Sequence, residues 1–325
     1  MAKIKKIGIL TSGGDAPGMN AAIRAVTRAA IYNGLEAYGI RKGYDGMIDG
    51  DICRLESKDV SGIIQRGGTI LKTARSARFR TPEGMKQAYE NLKKFGIDSL
   101  VVIGGDGSFK GANQLSQDFD IPVIGLPGTI DNDLYGTDYT IGYDTCLNTV
   151  IEAVDKIRDT ASSHNRIFFI EVMGRDAGYV ALESGIASGA ELIMIPEVEG
   201  QLDKLSGLLV KRAALDKSSI VIVAEGDKEG NAMEISKKVQ QEFPHLDIRV
   251  TILGHIQRGG SPSCMDRVSA SRMGVAAVEA LLDDQKSIMI GLCNGQIVHV
   301  PLSKTVKTHK GVPQEMLDVA RSLAL

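Results

Sequence analysis

Residues 101–108 read VVIGGDGS, an apolar run that ends in Gly104, Gly105, Asp106, Gly107 and Ser108. Glycines behind a buried strand let backbone N–H groups close on an anion. A carboxylate in that crowd repels phosphate unless a divalent cation lies between them. Mg²⁺ is held through one or two carboxylates together with substrate oxygens and water. Asp106 is therefore read as the group that holds Mg²⁺ against a nucleotide, with Gly105, Gly107 and Ser108 close to the phosphates. An Asp that only caps the next helix is the plainer reading, and the flanking glycines weigh against it.

Residues 127–133, PGTIDND, add carboxylates at the next strand end. Phosphoryl transfer to an alcohol needs a base near the attacking hydroxyl, and Asp is the usual choice. Asp131 suits the hydroxyl and Thr129 the moving phosphate, while Asn132 and Asp133 read as turn residues. TSGGDAPGMN sets Thr11, Ser12, Gly13 and Gly14 before a helix expected to begin near 17–19. The free N–H groups there favour an anion; a tight strand–helix turn is the alternative. No G-x-x-x-x-G-K-[ST] occurs, and the spacing at 104–107 fails G-x-G-x-x-G. Arg75, Arg166, Arg175, Arg249 and Arg258 fall in loops or at strand ends. Singly each reads as a surface ion pair, but together their two-pronged grip on oxygen suits two separate phosphates, one on the donor and one on a phosphorylated acceptor.

Elements must place these residues. Apolar runs at 5–11, 99–104, 121–128, 166–174, 191–198, 219–226 and 247–256 read as strands. Helical patterns follow the first, cover about 110–119, and lie near 178–188, 202–216, 231–242 and 265–283. A long helix after residue 143 puts Leu147, Val150, Ile151, Val154 and Ile157 on one face, with Asp144 as its N-cap. The strands are continuously apolar, as when helices cover both sheet faces. Asn294-Gly295 between two apolar runs at 288–300 reads as a hairpin. The fold expected is α/β: two doubly wound, mostly parallel α/β domains packed over a shared cleft. The boundaries expected are 1–138 plus 258–306 for one domain, and 139–257 plus 307–325 for the other. Ligands in open parallel sheets bind beyond the carboxyl ends of strands. Six runs end in glycine together with a charged group: TSGGD, GGDGS, PGTIDND, MGRDAG, AEGD and GHIQRGGS.

With 38 basic and 40 acidic residues the net charge is −2, so no global field favours nucleic acid or an anionic membrane. Neither partner is expected. The N-terminus is no signal peptide, and no apolar stretch approaches the roughly 20 residues of a membrane helix. Cys53, Cys146, Cys264 and Cys293 include no C-x-x-C, and the five histidines show no ligand spacing. Reduced thiols in a cytoplasmic protein are the expectation.

TSGGDAPGMNAAIR, VVIGGDGS, GLPGTIDND, TASSHNRI, EVMGR and LGHIQRGGSP, collinear over nearly the whole chain, resemble the bacterial ATP-dependent 6-phosphofructokinases. The resemblance implies a cytoplasmic homotetramer that shares active sites between subunits and catalyses the committing step of glycolysis. It phosphorylates O1 of fructose 6-phosphate from MgATP. Gly14, Tyr44, Arg75, Ser76 and Gly105–Ser108 are the implied ATP site, with Asp106 on the metal. Asp131, Thr129, Arg175 and Arg75 are the implied catalytic set. Thr129, Ile130, Asp131, Met173, Gly174, Arg175, Glu225, His255, Ile256, Gln257 and Arg258 are implied substrate contacts. Arg166 and Arg249 reach the substrate from a neighbouring subunit. An effector site for a nucleotide or phosphoenolpyruvate is implied at Arg24, Arg28, Arg158, Gly189, Ala190, Glu191 and Lys217. Ser57 stands there where an arginine is usual, the lysine-rich stretch is thinned to AALDKSS, and Ser76 replaces an apolar residue. Pyrophosphate-dependent relatives tend to carry Asp at the position of Gly107 and Lys at that of Gly128, so both glycines favour ATP. A pyrophosphate enzyme, a lipid or nucleotide kinase sharing only GGDG, and a sugar-phosphate sensor are the competing readings.

Overall fold

The computed structural model describes residues 4–163, 166–213, 218–308 and 310–323, with only the helical course given for 210–213. The elements in chain order begin β1 (Lys6–Ser12), α1 (Met19–Tyr32), β2 (Glu36–Ile40), α2 (Gly43–Asp49), β3 (Ile52–Leu55) and α3 (Pro82–Phe95). Then come β4 (Ser99–Gly104), α4 (Asp106–Phe119), β5 (Val123–Pro127), α5 (Tyr143–Ser162) and β6 (Ile167–Val172). They continue with α6 (Tyr179–Ala187), β7 (Leu192–Met194), α7 (Gln201–Ala213), β8 (Ser219–Ala224), α8 (Ala232–Glu242) and β9 (Ile248–Ile252). The last are α9 (Cys264–Leu282), β10 (Ile288–Cys293), β11 (Gln296–Pro301), α10 (Leu302–Thr305) and α11 (Gln314–Leu323).

Among the described residues the strands form two sheets, in line with the α/β class expected. One has seven strands in the order β11-β10-β5-β4-β1-β2-β3, parallel except for β3 and β11 at its edges; the other has four parallel strands in the order β7-β8-β6-β9. Contacts divide the chain into two compact units. The first is Met1–Ile130, Leu134–Thr145 and Arg258–Lys310; the second is Asp131–Asp133, Cys146–Gln257 and Gly311–Leu325.

In the first unit β1, β4 and β5 are buried almost throughout, which is why their sequences read as unbroken apolar runs. Leu10, Leu100, Val102, Phe109, Leu115 and Met289 form part of its core. In the second, Phe169, Val221, Val223, Leu205 and Ile235 do the same. The Asn294-Gly295 hairpin forms as expected: β10 and β11 pair antiparallel, with φ 51° and 74° at the two turn residues, both in the left-handed region a two-residue turn demands.

Three readings are corrected. The helix expected from about 110 starts at Asp106, because Gly105 is its extended N-cap and its carbonyl accepts the Ser108 and Phe109 amides. Asp144 is no N-cap, since it lies inside the first turn of α5. Asp266, from α9, accepts the Gly142 and Thr145 amides at 2.8 and 2.9 Å instead. The strand expected over 191–198 contracts to Leu192–Met194, ending before Pro196.

Candidate active site

The chemistry of the first unit gathers where strand order reverses. The chain passes from β1 to β2 on one side and later returns to β4 on the other, so β1 and β4 flank the switch point. Their ends are level, with Ser12 opposite Gly104, and Gly104 is opposite Pro127 on β5. The Thr11–Gly14, Gly105–Ser108 and Gly128–Thr129 segments therefore leave three neighbouring strands at one sheet edge, the place where open α/β sheets bind ligands.

Two helices begin there without a side-chain cap: α1 after Gly18 and α4 after Gly105. Their first-turn amides and helix dipoles together favour phosphate. Asp106 sits in the first turn of α4, partly exposed, and Lys110 one turn later donates to its Oδ2 at 2.7 Å. Lys110 was missed from sequence, although its i+4 spacing from Asp106 is the signal that marks such a pair. A Cβ built on Gly107 meets nothing within 4 Å, whereas one on Gly128 comes 2.9 Å from Ile103 Cγ2 and 3.4 Å from the Gly104 amide nitrogen. Position 107 opens outward, whereas a side chain at position 128 would have to displace Ile103 and Met19.

Tyr44 is buried and stacks on Phe79 with ring centroids 4.0 Å apart; its hydroxyl donates to the Ser108 carbonyl at 2.6 Å. Burial pushes its phenol above the ordinary value, so it remains a donor. Thr11 Oγ1 donates to the Lys72 carbonyl at 2.9 Å, and Thr73 Oγ1 donates to that of Gly13 at 2.8 Å. These bonds hold the segment carrying exposed Arg75 against the β1 loop. Ser76 is spent on structure: its hydroxyl donates to Asp45 and accepts the Phe79 amide at 3.1 Å. Arg258 lies over Gly14, where its Nη1 would be 2.6 Å from an added Cβ, and donates to the Asp15 carbonyl at 3.2 Å. Thr129, Ile130 and Asp131 are all buried, at 7%, 0% and 8% exposure.

In the second unit the MGR, EGD and GHIQ segments leave the carboxyl ends of β6, β8 and β9. The Arg175 amide donates to Glu225 Oε1 at 2.8 Å, and the Met173 amide donates to Gln257 Oε1 at 3.1 Å. Gln257 is fully buried and also donates to the Gly254 carbonyl, so it braces the loops. A Cβ at Gly226 would stand 2.0 Å from the Arg175 carbonyl, and Gly174 has φ 143°, so close packing and backbone shape both demand glycine here. Arg175, Glu225, His255 and Ile256 are exposed.

Arg166 and Arg249 lie elsewhere. Arg166 precedes β6 and Arg249 is the second residue of β9, so both sit at the amino edge of a parallel sheet. Asp247 joins them, 2.7 Å from Arg166 Nε and 3.0 Å from Arg249 Nη2. A strand of six residues separates this pair from Met173–Arg175 by roughly 20 Å. The five arginines thus divide by position, with Arg166 and Arg249 at the amino edge of their sheet and Arg175 beyond its carboxyl edge.

Among the effector residues, Arg24 and Arg28 share α1, and burial, with Arg28 as a second cause, holds the Arg24 guanidinium below its ordinary value. Arg158 donates to the Ser188 and Gly189 carbonyls at 2.8 and 2.9 Å, closing the C-terminal end of α6, and lies 3.7 Å from Glu191. The Ala190 amide returns to Gly185. Lys217 lies outside the described residues.

The phosphofructokinase family model matches residues 6–281. The ATP-dependent 6-phosphofructokinase 2 of Bacteroides thetaiotaomicron is 59% identical over 100% of both chains. The ATP-dependent 6-phosphofructokinase 1 of Thermus thermophilus is 53% identical over 99% of this chain and 100% of its own. A solved phosphofructokinase from Saccharomyces cerevisiae is 39% identical, with TM-score 0.89 over 98% of this chain. This chain spans 48% of that yeast chain, about half its length.

Proposed function

The chain belongs to the phosphofructokinase family, and from that membership we propose that it transfers the γ-phosphoryl group of MgATP to O1 of fructose 6-phosphate. The products are fructose 1,6-bisphosphate and ADP, and the step commits sugar to glycolysis. The observation that carries the ATP reading is the pair of glycines at 107 and 128: one leaves open space beside the phosphate loop, and at the other a lysine would have to push Ile103 and Met19 aside.

The first unit takes the nucleotide. Uncapped amides of α4 and Gly105–Ser108 receive phosphate oxygens, while Arg75, two residues after the Thr73 that bonds the Gly13 carbonyl, adds positive charge. Asp106 fits Mg²⁺ as a single carboxylate whose partners are the nucleotide's own oxygens and water. Bound there, Mg²⁺ neutralises charge on the donor phosphates. Lys110 gives up its bond to Asp106 and turns to the phosphates.

The second unit takes the sugar phosphate. Met173, Gly174, Arg175, Glu225 and His255 contact the acceptor, Arg175 steadies the group in transfer, and Gln257 holds the loops that carry them. Asp131 accepts the proton of the C1 hydroxyl and Thr129 orients the phosphoryl group. Arg166 and Arg249, at the far edge of their sheet, serve the acceptor of a neighbouring subunit in a homotetramer. The effector residues give allosteric control, with Arg158 exchanging its helix-end carbonyls for the effector's phosphate. No helix among the described residues is long and apolar enough to cross a membrane, and the cysteines are free; we place the protein in the cytoplasm, which cell fractionation checks.

The test is direct. With fructose 6-phosphate, ATP and Mg²⁺ the chain yields fructose 1,6-bisphosphate, EDTA stops the reaction and added Mg²⁺ restores it. Turnover undiminished by EDTA contradicts the role of Asp106. The same assay on progressively diluted enzyme, followed by sedimentation, loses fructose 6-phosphate affinity as the oligomer dissociates; a fully active monomer refutes the shared site.

A further inference from the structure

Thr140 is 2% exposed, and its hydroxyl donates to the Thr129 carbonyl at 2.6 Å. Beside it the Ile141 amide donates to the Pro127 carbonyl at 2.8 Å, while Gly128 donates to Gly104 at 3.0 Å. The exit of β5 is thus tied to β4 on one side and to 140–141 on the other. The 140–141 segment is anchored in turn. Asp266, 2% exposed, accepts the Gly142 and Thr145 amides and the Thr145 hydroxyl, and the Ser263 amide donates to Thr145 Oγ1 at 2.9 Å. Every residue in this series belongs to the first unit.

We propose that Thr140 is a positioning residue for phosphoryl transfer, acting through the Thr129 main chain; the proposal rests on the roles given above to Thr129 and Asp131. A peptide group is planar, so the bond that fixes the Thr129 carbonyl also fixes the Ile130 amide and the path of the chain into Asp131. Thr129 carries its own side chain from the same backbone. The Asp266 anchor matters because a hydroxyl fixes its acceptor only when its own backbone is held. Valine has nearly the shape of threonine and would satisfy the packing, so the hydroxyl at this buried point is what the position uses.

The test compares Thr140→Val with Thr140→Ser and wild type. Displacing reacting groups by about 1 Å costs about a hundredfold, so Thr140→Val lowers kcat by about 10- to 100-fold with KM for ATP changed less than about twofold. Thr140→Ser, which keeps the donor, stays within about threefold of wild-type kcat. Should the valine variant fail to fold, Thr140→Ala carries the same expectation. Wild-type kcat in the hydroxyl-free variant overturns the proposal, and so does a serine variant as slow as valine. An inactive wild type, by contrast, overturns the phosphofructokinase reading and this proposal with it. An active wild type beside an equally active valine variant removes only the role of Thr140.

Discussion

Asp131→Ser lowers kcat by about 10²–10⁴-fold, the usual contribution of a positioned general base, and leaves KM for ATP nearly unchanged. The change is chosen for what it leaves in place. Asp131 is 8% exposed, follows fully buried Ile130 and precedes Asn132, whose φ of 51° fixes a sharp local turn. Serine is small and polar enough for that site, so the backbone path survives, yet it cannot take a proton at neutral pH. The nucleotide residues proposed here lie in other segments, at the exits of β1 and β4 and in the loop that carries Arg75. Steady-state kinetics with each substrate varied in turn checks the split. A loss confined to KM for fructose 6-phosphate would assign Asp131 to binding.

Gly107→Asp has the second large effect, and it falls on the donor. The added Cβ meets nothing within 4 Å, so the fold accepts it and the melting temperature should hold. Function should not. The new carboxylate stands in the first turn of α4 next to Asp106, in the space the phosphates are proposed to enter. Two like charges about 4 Å apart cost about 4 kcal/mol at an effective dielectric of 20. At about 1.4 kcal/mol per factor of ten, kcat/KM for ATP falls by about a thousandfold. Unchanged ATP kinetics in this variant would show that position 107 does not face the nucleotide.

The sequence made the strand exits legible because their signals are local. Glycine and a charged residue occur together within a few positions at the ends of β1, β4, β5, β6, β8 and β9, and a buried parallel strand announces itself as an apolar run. What it concealed was distant pairing. Asp266 caps α5 from more than 120 positions away, so the nearer Asp144 looked sufficient. Thr140 looked like loop, since its acceptor lies 11 residues back across the PGTIDND turn. Ser76 reads as a missing apolar residue until Asp45 is found beside it. The short strands β2 and β3 and the helices α2 and α3, in the stretch 36–95, lack long apolar runs and escaped notice. Arg166 is different, because the needed signal was present. It precedes its apolar run instead of following it, which already places it at the amino edge of a parallel sheet.

The most direct measurement of the central claim is product formation by the wild-type chain from fructose 6-phosphate and Mg²⁺, with ATP in one reaction and pyrophosphate in the other. Fructose 1,6-bisphosphate from the ATP reaction alone is the predicted result. Turnover with pyrophosphate alone would contradict the account of Gly107 and Gly128, and with it the reading of the loop around Asp106.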